Sequence, residues 1–170
     1  ALFGAFRAGL TVVNCNPLYT PRELENQLKD SGAKAIVVLE NFAHTVQEVV
    51  ARTPVKHVIT TEIGDLFPPL KRLLTNLVVK YGKKLVPPWR IEGAVAWHTA
   101  LAVGRGLPLD PVPLTQEDIA FRQYTGGTTG VPKGTMLTHG NMVANIEQAS
   151  AWIGSVFKAG AEVVVMPLPL

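Results

Sequence analysis

The chain has 170 residues, 47% of them hydrophobic and 17% charged, with a net charge of +3. That balance excludes disorder, which needs low hydrophobicity and high net charge, and the charge is too small to imply nucleic acid. No apolar run approaches the roughly 18 uncharged residues of a membrane span. Arg7 interrupts the opening apolar run, so no signal peptide is expected. The single cysteine, Cys15, permits no internal disulfide and suits a reducing compartment.

Residues 2–9 read as the end of a helix closed by Gly9, followed by a short strand at 11–15 that would bury Cys15 at its end. Thr20-Pro21-Arg22-Glu23 is a capping box with proline at the first helical position. Leu24 and Leu28 share one face of that helix, and Gly32 ends it. Lys34 to Leu39 is an apolar run of strand length, the kind expected where both faces of a parallel sheet are covered. A helix at about 42–52 and a strand at 57–61 follow. This rhythm predicts an α/β fold, a layered and mostly parallel sheet flanked by helices with right-handed crossovers.

The rhythm then breaks. Residues 66–103 read as a basic helical insertion, residues 104–116 as a linker loop and residues 117–170 as the region of a glycine-rich loop. Within the insertion, 66–86 is an amphipathic helix with Leu70, Leu73, Leu77 and Tyr81 on one stripe. Between Leu66 and Arg90 stand six basic residues and no acid, which leaves ten basic against 13 acidic residues elsewhere. Such a stripe fits a helix meeting an anionic membrane surface, and equally a surface helix with a solvated basic face. Trp97 and Trp152 lie in apolar helical patterns and are expected in the core. His44, His57, His98 and His139 lack metal-ligand spacing, and no Gly-x-Ser-x-Gly elbow is present. His139, close to the glycine-rich loop, is read as a helix-start residue, with contact to a phosphate as the alternative. Neither end has the polar character usual of a natural terminus, so the chain is expected to be a piece of a longer one.

The segment Tyr124 to Gly134, YTGGTTGVPKG, carries the chemistry. Its glycines let successive backbone N–H groups turn toward an anion. The hydroxyls of Thr125, Thr128 and Thr129 add donors, and Lys133 adds a full charge. Lys133 follows proline, so this is not the Walker loop, and the G-x-G-x-x-G spacing of dinucleotide folds is absent. The residues after Lys133 look like a short strand. A helix then starts near His139, capped by Thr138, with Met142, Ile146, Ala149 and Ile153 on its buried face.

YTGGTTGVPKG followed by MLTHGNM resembles the phosphate-loop signature of the acyl-adenylate-forming enzymes. NPLYTPREL (Asn16 to Leu24) and LKDSGAKAIVVLENFAHT (Leu28 to Thr45) are similar to bacterial long-chain fatty acid–CoA ligases within that family. The resemblance implies that the chain is part of the large N-terminal domain, with the C-terminal domain absent. It implies ATP-dependent activation of a long-chain fatty acid through an acyl-adenylate, with Mg²⁺ on the phosphates and coenzyme A as co-substrate. Thr125, Gly126, Gly127, Thr128, Thr129, Gly130 and Lys133 would grip the β,γ-phosphates, with Tyr124 as a strand-end anchor. No catalytic or metal-ligating residue is expected within these 170, since the family's adenine, magnesium, ribose and catalytic-lysine positions lie further on. The piece by itself would be inactive. The rival readings are adenylation of a medium-chain, aryl or amino acid, or a non-catalytic nucleotide-binding or membrane-docking protein. Arg122, Gly140 and Asn26 depart from the usual family residues, all outside the loop.

Overall fold

The structure is a computed structural model that describes residues 1–125, 133–154, 156 and 160. In chain order its elements are α1 (Leu2–Arg7), α2 (Pro21–Ser31), β1 (Ala35–Leu39), α3 (Ala43–Val49), β2 (His57–Thr61), α4 (Pro69–Leu77), β3 (Val95–Ala96), α5 (Trp97–Arg105), β4 (Ile119–Thr125), β5 (Lys133–Thr138) and α6 (His139–Ile153). They fall into two units, one formed by Ala1 with Pro17–Asp110 and one by Leu2–Asn16 with Pro111–Leu170.

The first unit is parallel, as the βαβ rhythm predicts. Its strands run in the order β1-β2-β3, with Ile36 facing Val58 and Val38 facing Thr60. Local chemistry sets the first helix. The Glu23 N–H donates to Thr20 Oγ1 at 3.4 Å while the Thr20 N–H donates back to Glu23 Oε2 at 2.8 Å, and Gly32 closes the helix in the left-handed region at φ 66°. Leu24 and Leu28 are buried on α2, which packs against α3 through Ala43, Val46 and Val49. Short 3₁₀ turns at Glu40–Phe42 and Val50–Arg52 flank α3.

Two expectations need correction here. Only one face of β1 is covered among the described residues: Ile36 and Val38 are half-buried, but Ala35 and Val37 are exposed. The apolar run showed that both faces suit burial, and burial of the second needs a layer this unit does not contain. The helix read over 66–86 is α4 at Pro69–Leu77, continued by a π-helical turn at Val78–Gly82. Pro68 and Pro69 set its start, since proline is tolerated only in the first turn.

Glu25 ties α2 to the end of α3. Its carboxylate accepts from Arg52 Nη2 at 2.8 Å and Lys29 Nζ at 2.6 Å, which hold its pKa down at about 2, Arg52 contributing most. A folded-state pKa below the ordinary 4.5 contributes stability that is complete above about pH 4.5 and is lost as pH falls toward 2. Glu25→Gln is therefore expected to flatten the acid limb of unfolding over that window. Urea titrations at a series of pH values check this; parallel limbs in the two proteins would remove the pair from the account.

Candidate functional site

β4 and β5 form an antiparallel hairpin in the second unit, so this unit departs from the parallel pattern of the first. Val12 bridges Phe121 on the other side of β4, with the Val12 N–H donating to Ala120 O and the Arg122 N–H to Val12 O, each at 2.9 Å. The strand expected at 11–15 is thus a single bridge. The extended run is too short to continue the ladder, and Asn14 instead donates from its side chain to Gln123 Oε1 at 3.2 Å. Cys15 is half-buried, and burial pushes its thiol up to about 11, which makes it a poor nucleophile.

Phe6 of α1 meets Phe121 edge-on at 5.0 Å and His139 at 5.4 Å between ring centroids. Apolar and aromatic contacts thereby join α1, β4 and the start of α6. The His139 N–H donates to Asp118 O at 2.9 Å and the Gly140 N–H to Gln116 O at 2.8 Å. His139 is the helix-start residue the sequence indicates. Thr138 caps α6 as expected, accepting from the Asn141 N–H at 3.1 Å and donating its own N–H to Asn141 Oδ1 at 3.0 Å. At the base of β4 the Thr115 N–H and hydroxyl both donate to Asp118 Oδ2, which holds that carboxyl below its ordinary range.

The last facing pair of the hairpin is Thr125 with Lys133. Directly opposed residues of antiparallel strands share one face, with Cα atoms about 4.5–5.5 Å apart. Both side chains are exposed, so a hydroxyl and an ammonium are presented together at the loop end of the hairpin. Gly126, Gly127, Thr128, Thr129 and Gly130 lie outside the described residues. The two ends of the loop are therefore brought together, which is what a compact anion grip requires.

One residue pair was not singled out from sequence. Tyr124 is buried and faces Gly134, and a Cβ on Gly134 would lie 2.9 Å from Tyr124 Cζ and 2.8 Å from Arg122 Cγ. The glycine is required because the Tyr124 ring crosses it. Its position in the motif was visible, but the hairpin register that opposes it to Tyr124 was not. Two expectations about apolar faces also fail here. Trp152 is 86% exposed and Trp97 only half-buried, and Ile146, Ala149 and Ile153 of α6 are exposed. The 3.6-residue periodicity identifies a face fit for burial, while a covering layer decides whether it is buried.

The whole chain, residues 1–170, matches the AMP-binding enzyme family. It is 55% identical over all 170 residues to a long-chain-fatty-acid–CoA ligase of Escherichia coli O157:H7, covering 30% of that protein. It is 57% identical over 157 residues to a ligase of the same name from Haemophilus influenzae, with 92% of this chain and 28% of that one covered. Among solved structures, a long-chain-fatty-acid–CoA ligase from Archaeoglobus fulgidus is 27% identical with a TM-score of 0.57, over 90% of this chain and 24% of the other. The adenylation domain of a carboxylate reductase from Mycobacterium chelonae, at 17% identity and a TM-score of 0.62 over 98% of this chain and 24% of that one, shows the shared fold. The chain spans about 30% of the length of the curated relatives it matches. With the match running from the first residue to the last and an α/β architecture to go with it, the chain belongs to the AMP-binding enzyme family.

Proposed function

We propose that the protein carrying this chain activates long-chain fatty acids, using ATP to form an acyl-adenylate and coenzyme A to convert it to the thioester, with release of AMP and pyrophosphate. The observation that carries this reading is the 55% identity over every residue of the chain to a long-chain-fatty-acid–CoA ligase.

The work of this chain in that reaction is to hold the leaving pyrophosphate. Thr125 and Lys133, presented side by side at the loop end of the hairpin, suit the β- and γ-phosphates, and Gly126, Gly127, Thr128, Thr129 and Gly130 complete the grip. Charge-assisted contacts of this kind stabilise the negative charge that builds on pyrophosphate as the carboxylate attacks the α-phosphate. In this reading Mg²⁺ neutralises the phosphates of the nucleotide. The partners are a long-chain fatty acid and an anionic membrane surface met by the basic segment Lys71 to Arg90, with no nucleic acid. The protein works in the cytoplasm, peripheral on the cytoplasmic face of the inner membrane.

Exchange of labelled pyrophosphate into ATP tests the assignment in the full-length protein. Exchange should depend on a long-chain fatty acid. If benzoate or an amino acid supports it and a long-chain acid does not, the substrate assignment is wrong; exchange with no acid tried would remove adenylation altogether.

A further inference from the structure

Helix α4 is packed the wrong way round for a soluble helix. An amphipathic helix normally turns its apolar stripe to the core and its charged face to water. Here the charged and amide face meets the body. Asn76 Nδ2 donates to Glu62 Oε2 at 2.7 Å, and its Oδ1 accepts from the Gly64 N–H at 2.8 Å. Arg72 Nη1 lies 2.8 Å from His98 Nε2, which is itself 3.2 Å from the buried Asp65. Lys80 Nζ reaches Glu40 Oε2 at 3.2 Å from the π-helical turn. These partners come from the strand ends and α5, so each anchor is bound to a different part of the unit.

The opposite face carries Leu70, Leu73, Leu74, Leu77 and Tyr81, which are between 45% and 72% exposed. At 100° per residue Leu70, Leu73, Leu74 and Leu77 form one stripe along α4, and Tyr81 stands in the π-helical turn that follows. Contiguous exposed apolar surface of this kind marks an interaction site. Its charged flank indicates the occupant. Lys71 on α4 and Lys83 and Lys84 just beyond its π-helical turn are exposed, and no acidic residue occurs from Leu66 to Arg90. A stripe of leucines bordered by lysines matches the boundary of an anionic bilayer, where apolar side chains enter the acyl region and ammonium groups meet headgroup phosphates.

We propose that α4 docks the protein on an anionic lipid surface as an inverted amphipathic helix, its polar face bonded to the body and its leucine stripe entering the bilayer. This specifies the membrane partner of the proposed function and fails separately from acyl activation. The full-length protein is expected to sediment with vesicles of phosphatidylcholine and phosphatidylglycerol, less so as salt rises, and not with phosphatidylcholine alone. Lys83→Ala combined with Lys84→Ala should weaken that binding roughly thirty-fold. Leu73→Ser combined with Leu77→Ser should abolish it without lowering the unfolding temperature, since both side chains face outward. Pyrophosphate exchange with a detergent-dispersed fatty acid should be unchanged in both variants.

Absence of vesicle binding by the wild-type protein, or equal binding to neutral vesicles, overturns the proposal. So does a leucine variant that unfolds at lower temperature but still binds vesicles, which would mean that the rest of the protein covers the stripe. A dimer that the leucine change dissociates, with vesicle binding unaltered, would assign the stripe to a second copy. If the leucine variant does not fold, the lysine variant decides: unchanged vesicle binding by it overturns the proposal. Vesicle binding without exchange leaves the docking surface standing and removes the ligase reading; exchange without vesicle binding does the reverse.

Discussion

Lys133→Ala in the full-length protein is expected to cut ATP–pyrophosphate exchange roughly ten- to a hundred-fold, because a hydrogen bond to a charged group contributes about 1.5–3 kcal/mol. The fold should survive. Lys133 is exposed at the first position of β5, so its removal opens no cavity in the core. The loss should appear mainly in the ATP dependence of exchange, with the fatty-acid dependence little changed, because the contact is to the nucleotide. Lys133→Arg keeps the charge but replaces a compact ammonium by a larger planar fork, so partial activity is expected. Exchange kinetics on the two variants, beside circular dichroism and unfolding temperature, make the check. Wild-type exchange in Lys133→Ala would take the phosphate grip away from this hairpin.

Tyr124→Ala is expected to destabilise the second unit by about 3–5 kcal/mol, the usual cost of deleting a large buried aromatic side chain. Tyr124 is 7% exposed and its ring lies across Gly134, which has no side chain of its own to fill the gap. The loss is mechanical as well as thermodynamic. Thr125 and Lys133 flank the Tyr124–Gly134 pair directly, so a frayed pair separates the hydroxyl from the ammonium. Exchange should therefore fall even below the unfolding temperature. Hydrogen exchange of the β4 and β5 amides, compared with those of β1 and β2, distinguishes local fraying from global loss. Unaltered protection in β4 and β5 would show that the ring does not brace the hairpin.

The elements with short-range causes were legible in advance. The capping box at Thr20, the cap at Thr138, the closure at Gly32 and the strand at 57–61 all appear where the residues indicate. Each depends on groups within about four positions of one another, or on an apolar run of strand length. The strand at 11–15 failed because a strand exists only through its partner, and a single bridge at Val12 is all that forms. The faces of α6 and Trp152 failed for a related reason, since periodicity reports what suits burial and not what covers it.

By itself, then, the sequence determined the limits of α2 and the start of α6, because backbone conformation and capping respond to nearest neighbours, and its βαβ rhythm indicated the parallel unit. Tertiary structure alone decided two things. One is the hairpin register that opposes Tyr124 to Gly134 and so sets Thr125 beside Lys133. The other is the orientation of α4. The amphipathic pattern contains two faces, and partners as far away in the chain as Glu40 and His98 determine that the polar one turns inward.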